Sequence, residues 1–233
     1  MPTGYTRSPK LLKGALIKLG EGFIGPVPNV ILFQYNPETL RRDLMPRIAA
    51  SSVKAGNKNE EEHTAAPADP GEKFSLDLEL DASDALEEPE IHPVAVISGV
   101  ADRIAAIEML LYPKSQTELG KTLSSAFGNY DPVPRGEVPI VFFFWGPGRI
   151  LPVRITSFTV DEQAFSPTLF PIRAKVSLGC QVLTDKAFSN VKKTMEEELA
   201  LIAYKYTRGK KEALARANLI NSAESIIGML PFL

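Results

Sequence analysis

Few residues in this chain are of a type that does chemistry, and each is judged by its neighbours. Cys180 is the single cysteine, and His63 and His92 are the two histidines. A lone thiol forms no intrachain disulfide, and one cysteine with two scattered histidines lacks the paired spacing of a zinc site. His63 follows Glu60-Glu61-Glu62 and His92 precedes Pro93, with no nucleophile beside either and no G-x-S-x-G elbow in the chain. Both read as solvated or capping histidines. Cys180 falls on the apolar side of an alternating segment, which makes it an inert core thiol. No catalytic residue, cofactor or metal is expected.

Two further patterns invite a chemical reading. Gly20-Glu21-Gly22-Phe23-Ile24-Gly25 matches the G-x-G-x-x-G dinucleotide fingerprint in letters. That fingerprint needs a helix to start there and hold the pyrophosphate, and Pro26-Val27-Pro28 forbids one, so a turn is expected. Asp77, Glu79, Asp81 and Asp84 gather carboxylates on one strand face and its exit. Without a glycine-centred ligand loop or a desolvated carboxyl, they read as a solvated face rather than a calcium site or an acid catalyst.

The elements that must position these residues follow from composition and periodicity. The 233 residues are 44% hydrophobic and 23% charged, with 26 Lys+Arg against 28 Asp+Glu, an ordinary globular make-up. The balance argues against a nucleic-acid partner, and no apolar run reaches the ~18 residues of a membrane span. The beginning of the chain shows no export signal, and a reducing cytoplasm at synthesis is expected.

Apolar runs at Lys10 to Leu19 and Val30 to Tyr35 flank the glycine- and proline-rich turn and predict two strands. Arg41 to Lys73 lacks periodicity and reads as one long loop. Phe74, Leu76, Leu78 and Leu80 alternate with polar residues as a half-buried strand. Ile97, Val100, Ile104, Ile107 and Leu111 repeat at three and four, predicting one helix that stops by Pro113. Ile140 to Trp145, Ile150 to Val160 and Ile172 to Val182 predict three more strands, the aromatic run Phe142 to Trp145 packing on both sheet faces. Towards the end, Val191, Met195, Leu199 and Ile202 mark a helix, Arg208-Gly209 a break, and Lys210 to Ile227 a second helix. The expectation is a mainly β (α+β) domain over 1–184, with about six strands, one internal helix and the long loop 41–73, followed by a helical extension over 185–233.

Three blocks, in order, resemble the tube and baseplate proteins of contractile, phage-tail-like injection systems. Val30-Ile31-Leu32-Phe33-Gln34-Tyr35-Asn36-Pro37-Glu38-Thr39-Leu40 is similar to the family's F-N-P-E segment that ends an early strand. Phe74 to Asp81 resembles its F-x-L-x-L-D strand. Phe144-Trp145-Gly146, Phe165-Ser166-Pro167 and Pro171-Ile172-Arg173-Ala174 resemble its closing hairpin. The resemblance spans roughly residues 10–184. It implies an antiparallel β-barrel with one helix, assembled as a six-fold ring of tube-initiator type that joins the spike hub to the inner tube. Relatives often end in a LysM module; residues 185–233 look helical instead.

On this reading the partners are further copies of the chain, the inner tube protein, the spike hub and other baseplate proteins, with no membrane contact. The particle that carries it is either released or cell-bound. Ser51, Lys54, Asn57, Glu60 and His63 of the long loop are candidate subunit contacts. Val191, Met195, Leu199, Ile202, Ile220 and Ile227 of the extension are candidates for docking on a baseplate partner, preferred over packing on the barrel. The competing readings are a small β-barrel enzyme, or a tube-end or cap-end adaptor of the same particle.

Overall fold

The computed structural model describes residues 12–19, 29–46, 69–112, 139–188 and 193–229, and for 220, 221 and 223–229 the backbone alone. The strands are β1 (Ala15–Lys18), β2 (Asn29–Leu32), β3 (Leu40–Met45), β4 (Gly71–Asp81), β5 (Val141–Phe144), β6 (Ile150–Phe165) and β7 (Pro171–Val182). The helices are α1 (Ser83–Glu87), α2 (Pro93–Ser98), α3 (Ala101–Glu108) and α4 (Met195–Met229), with a 3₁₀ turn at Asp185–Phe188. All seven strands form one antiparallel sheet in the order β2-β1-β5-β6-β7-β4-β3.

The two edge strands, β2 and β3, are consecutive in the chain and joined by residues 33–39 alone. β4 and β5 stand three strands apart, about 14 Å in a flat sheet, yet the Phe74 and Phe143 ring centroids are 4.6 Å apart. The sheet is therefore rolled, and its concave side holds the core. Phe74, Leu76, Leu78 and Leu80 of β4, Val176, Leu178 and Cys180 of β7, Phe143 of β5, Leu151 of β6 and Leu16 of β1 share one buried cluster. Val100, Ile104 and Ile107 of the α3 segment complete it.

The roll does not close into the expected barrel, because β2 and β3 share no ladder. β2 has only four residues, and α3 with the chain after β2 lines a cleft between β2 and β4. A seventh strand, β3, takes the place of the loop's expected start: Arg41 to Met45 pair with Gly71 to Ser75 of β4. With Leu40, Leu44 and Met45 as its apolar residues, β3 carries little periodicity of its own; the ladder that β4 offers is what makes it a strand.

The internal helix is likewise divided. Gly99, at φ +58°, separates α2 from α3, and a Cβ there would lie 2.1 Å from the Pro171 carbonyl oxygen. Ile97 is consequently exposed, while Val100, Ile104 and Ile107 are buried. β6 runs five residues past its expected end, with a bulge between Ile155 and Ser157. The bulge throws Ser157 over Gly179, whose missing Cβ makes room for the Ser157 hydroxyl.

The expected break at Arg208-Gly209 is absent: α4 is one helix of 35 residues. Gly costs a helix interior about 1 kcal/mol relative to Ala, and this one is offset by anchors on either side. Thr207 Oγ1 accepts from the Ile150 N–H (3.0 Å) and donates to the Ile150 carbonyl (2.6 Å), and Lys211 Nζ donates to Glu72 (2.7 Å). At its start Thr194 and Glu197 form a reciprocal capping box.

Candidate functional site

Residues at the ends of β2, β4 and β7 meet at one point, the seam where the chain after β2 reaches the end of β4. Gln34, just after β2, uses its side-chain amide as a substitute strand. Its Nε2 donates to the Asp81 carbonyl (2.7 Å) and its Oε1 accepts from the Asp81 N–H (3.0 Å) at the end of β4. Arg103 of α3 donates to the same Oε1, closing the seam from the helix side. The Asp81 carboxylate accepts from Ser83 N–H (2.7 Å) and from Arg173 Nε of β7 (2.7 Å). Burial pushes the Asp81 carboxyl up, and the hydrogen bonds from Ser83 with the Arg173 charge outweigh it, leaving a net shift below the ordinary value. Asn36 holds the other side, accepting from Gly14 N–H and donating to the Leu12 carbonyl.

Between β2, β4 and α3 the seam leaves a cleft of about 240 Å³, lined by Val30, Leu32, Leu78, Leu80, Arg103 and Ala106 among others. This is smaller than the ~300–1,000 Å³ of typical small-molecule sites. Its lining combines apolar side chains with the unladdered side of β2, which suits a neighbouring chain better than a metabolite.

The carboxylate row stands on the convex face and is paired across strands. Lys175 Nζ lies 2.9 Å from Asp77, whose carboxylate also accepts from the Ser177 hydroxyl at 2.7 Å. These hydrogen bonds hold Asp77 below its ordinary pKa and raise Lys175. Among the described residues no group of His, Cys, Asp or Glu has the spacing of a metal site. Cys180 is 1% exposed, and burial pushes its thiol up to about 12. His92 is exposed ahead of α2 and makes no side-chain cap. His63 and the Gly20–Gly25 segment lie outside the described residues.

A second cluster ties α4 to the sheet, and its central residue is one that the loop reading passed over. Glu72 stands on the core-facing row of β4, is 5% exposed, and accepts from Arg42 Nε of β3 (2.9 Å) and from Lys211 of α4. Asp69 takes both oxygens of its carboxylate to Arg208 and one to the Tyr204 hydroxyl (2.9 Å). Burial and the Asp69 contact push Tyr204 up. Ala200, Tyr204 and Thr207 are buried beneath the helix, and Phe142, Phe188 and Ala200 form a small cluster on the outer side of β5. A glutamate at an apolar register position of β4 was the available signal.

The candidate contact residues are distributed as follows. Ser51, Lys54, Asn57, Glu60, His63 and Val191 lie outside the described residues, and Ile220 and Ile227 are placed on the backbone of α4. Met195, Leu199 and Ile202 are 78%, 39% and 63% exposed. The face of α4 that packs in cis is thus the Ala200-Tyr204-Thr207 face and not the predicted apolar stripe. A further apolar surface surrounds α2, which buries none of its residues: Ile91, Val94, Val96 and Ile97 are exposed, as are Leu169 and Phe170 at the β6–β7 turn. No helix among the described residues is long and apolar enough to cross a membrane. No protein-family model and no curated protein sequence matches the chain.

Proposed function

We propose that this chain is a structural subunit of a contractile injection system, forming a six-fold ring of baseplate or tube-initiator type between the spike hub and the inner tube. The observation that carries this reading is the pair of unpaired sheet edges. β2 and β3 each have a partner on one side only. Exposed edges endanger a monomer and are safe where neighbouring copies cover them. Val30, Leu32, Leu44 and Met45 on these edges are about half exposed or more, as an interface strand requires. The resemblance blocks support the same reading, since Gln34, Asp81 and Arg173 from all three meet at the seam.

The test is incorporation. Val30→Lys with Leu32→Lys on β2 places two charges on exposed edge positions, leaves the core side chains in place, and is expected to give a folded protein that is missing from sedimented particles. Intact particles containing the double variant, or particles that form in cells lacking the chain, overturn the proposal.

A further inference from the structure

We infer that α4 pairs two copies of this chain through its outward face, antiparallel and about a two-fold axis. The inference goes beyond the ring reading and needs only the helix. At 100° per residue, Ala200, Ala203, Tyr204, Thr207 and Lys211 share one side of α4, the side fastened to the sheet. Met195, Leu199, Ile202 and Tyr206 recur at four, three and four residues and form a stripe about 125° around the helix from that side, with the Tyr206 hydroxyl donating to the Pro147 carbonyl at 2.8 Å. They are 78%, 39%, 63% and 43% exposed. A solvated helix normally turns its apolar stripe to its own domain. Here Ala200, Tyr204 and Thr207 face the domain, and a second bulky stripe with coiled-coil spacing lies beside that face, exposed along its length.

The charges beside the stripe identify what covers it. Glu198 and Lys205 each precede a stripe residue by one position, so they flank the same side of the stripe about 10.5 Å apart along the helix. Neither makes an ion pair among the described residues. In an antiparallel pair whose axis passes midway between Leu199 and Ile202, Leu199 packs on Ile202 of the second copy and Met195 on its Tyr206. Glu198 of each copy then stands over Lys205 of the other, giving two symmetric ion pairs. A parallel pair sets Lys205 against Lys210 of the second copy and is disfavoured by like charge. Four side chains a copy cover less than the ~800 Å² per partner of a standard interface, so the association is concentration-dependent.

Sedimentation equilibrium of the full chain from about 1 µM to about 1 mM reads the pairing directly. The wild type is expected to move from monomer mass towards dimer mass, and Ile202→Asp, at an exposed position, to stay monomeric with an unchanged circular dichroism spectrum. Glu198→Lys and Lys205→Glu each should weaken association about tenfold, and combining them should restore it. As a second readout, Leu199→Cys with Ile202→Cys should oxidise to a covalent dimer, Cys180 being buried. A chain monomeric throughout, a mass indifferent to Ile202→Asp, or a double charge swap no tighter than the single changes overturns the inference. A hexamer indifferent to Ile202→Asp sinks the helix pairing and leaves the ring proposal standing. A dimer that depends on Ile202 supports the pairing whatever the β2 edge variant does in particles.

Discussion

Gln34→Ala tests whether a single side chain holds the rolled sheet's edges in register. The change deletes two hydrogen bonds to the Asp81 backbone, at 2.7 and 3.0 Å, and removes the acceptor for Arg103. Each ordinary hydrogen bond is worth about 0.5–1.5 kcal/mol net, and a buried group left unpaired costs about 1–3 kcal/mol. The site is only part-buried, so water takes up some of the loss, and the Asp81 carbonyl keeps a 3.5 Å contact from Arg103. The expected destabilisation is about 2–3 kcal/mol, a large share of the ~5–15 kcal/mol of a typical domain. Equilibrium urea unfolding followed by far-UV circular dichroism should show the midpoint falling by about 1 M at unchanged slope. Gln34→Glu keeps the acceptor for the Asp81 N–H and for Arg103 but loses the donor to the carbonyl, and should fall between. A Gln34→Ala protein within about 0.5 kcal/mol of wild type would refute the reasoning. It would mean that Phe33 and Ile31 packed on the core hold the seam without the amide.

Four other outcomes are expected. Gly99→Ala should lower the thermal midpoint by roughly 5–15 °C, since it strains a positive φ and drives a Cβ into the Pro171 carbonyl, whereas Gly148→Ala, with open space around it, should be near neutral. Gly209→Ala should stabilise by about 0.5–1 kcal/mol in the same melts, because the position is helical with nothing within 4 Å of a new Cβ. Cys180 should resist iodoacetamide at pH 8 in the native protein and react once urea unfolds it, its thiol being held at about 12 by burial. The Asp81 carboxyl is lowered in the fold, so its contribution is complete above its unfolded value of about 3.9 and fades as pH falls through the lower folded value. Urea titrations from about pH 6 to about pH 2 should therefore show Asp81→Asn flattening the acid limb of stability.

Periodicity by itself determined what depends on a residue's own neighbours. Strict alternation from Phe74 to Leu80 and from Ile172 to Val182 defined two half-buried strands and put Cys180 inside, because the side-chain period of a strand leaves only one face for the core. The contiguous aromatics of β5 were legible as two-faced packing, and Phe142 and Phe143 do fall in separate clusters.

Tertiary structure decided the rest, for reasons that lie far apart in the chain. β3 is a strand because β4 supplies its hydrogen bonds, and α4 passes through Gly209 because Thr207 and Lys211 are fastened to residues 57 and 139 positions away. Gly99 divides a helix whose stripe looked continuous, because the Pro171 carbonyl occupies the space a side chain would need. The apolar stripe of α4 was visible in the sequence, but its direction was not. Helical spacing says which residues share a face, and only the packing of Ala200, Tyr204 and Thr207 against the sheet turns Met195 and Ile202 away from it. Whether the rolled sheet closes depended on whether β2 and β3 meet in a ladder, a relation between edges that local propensity does not contain.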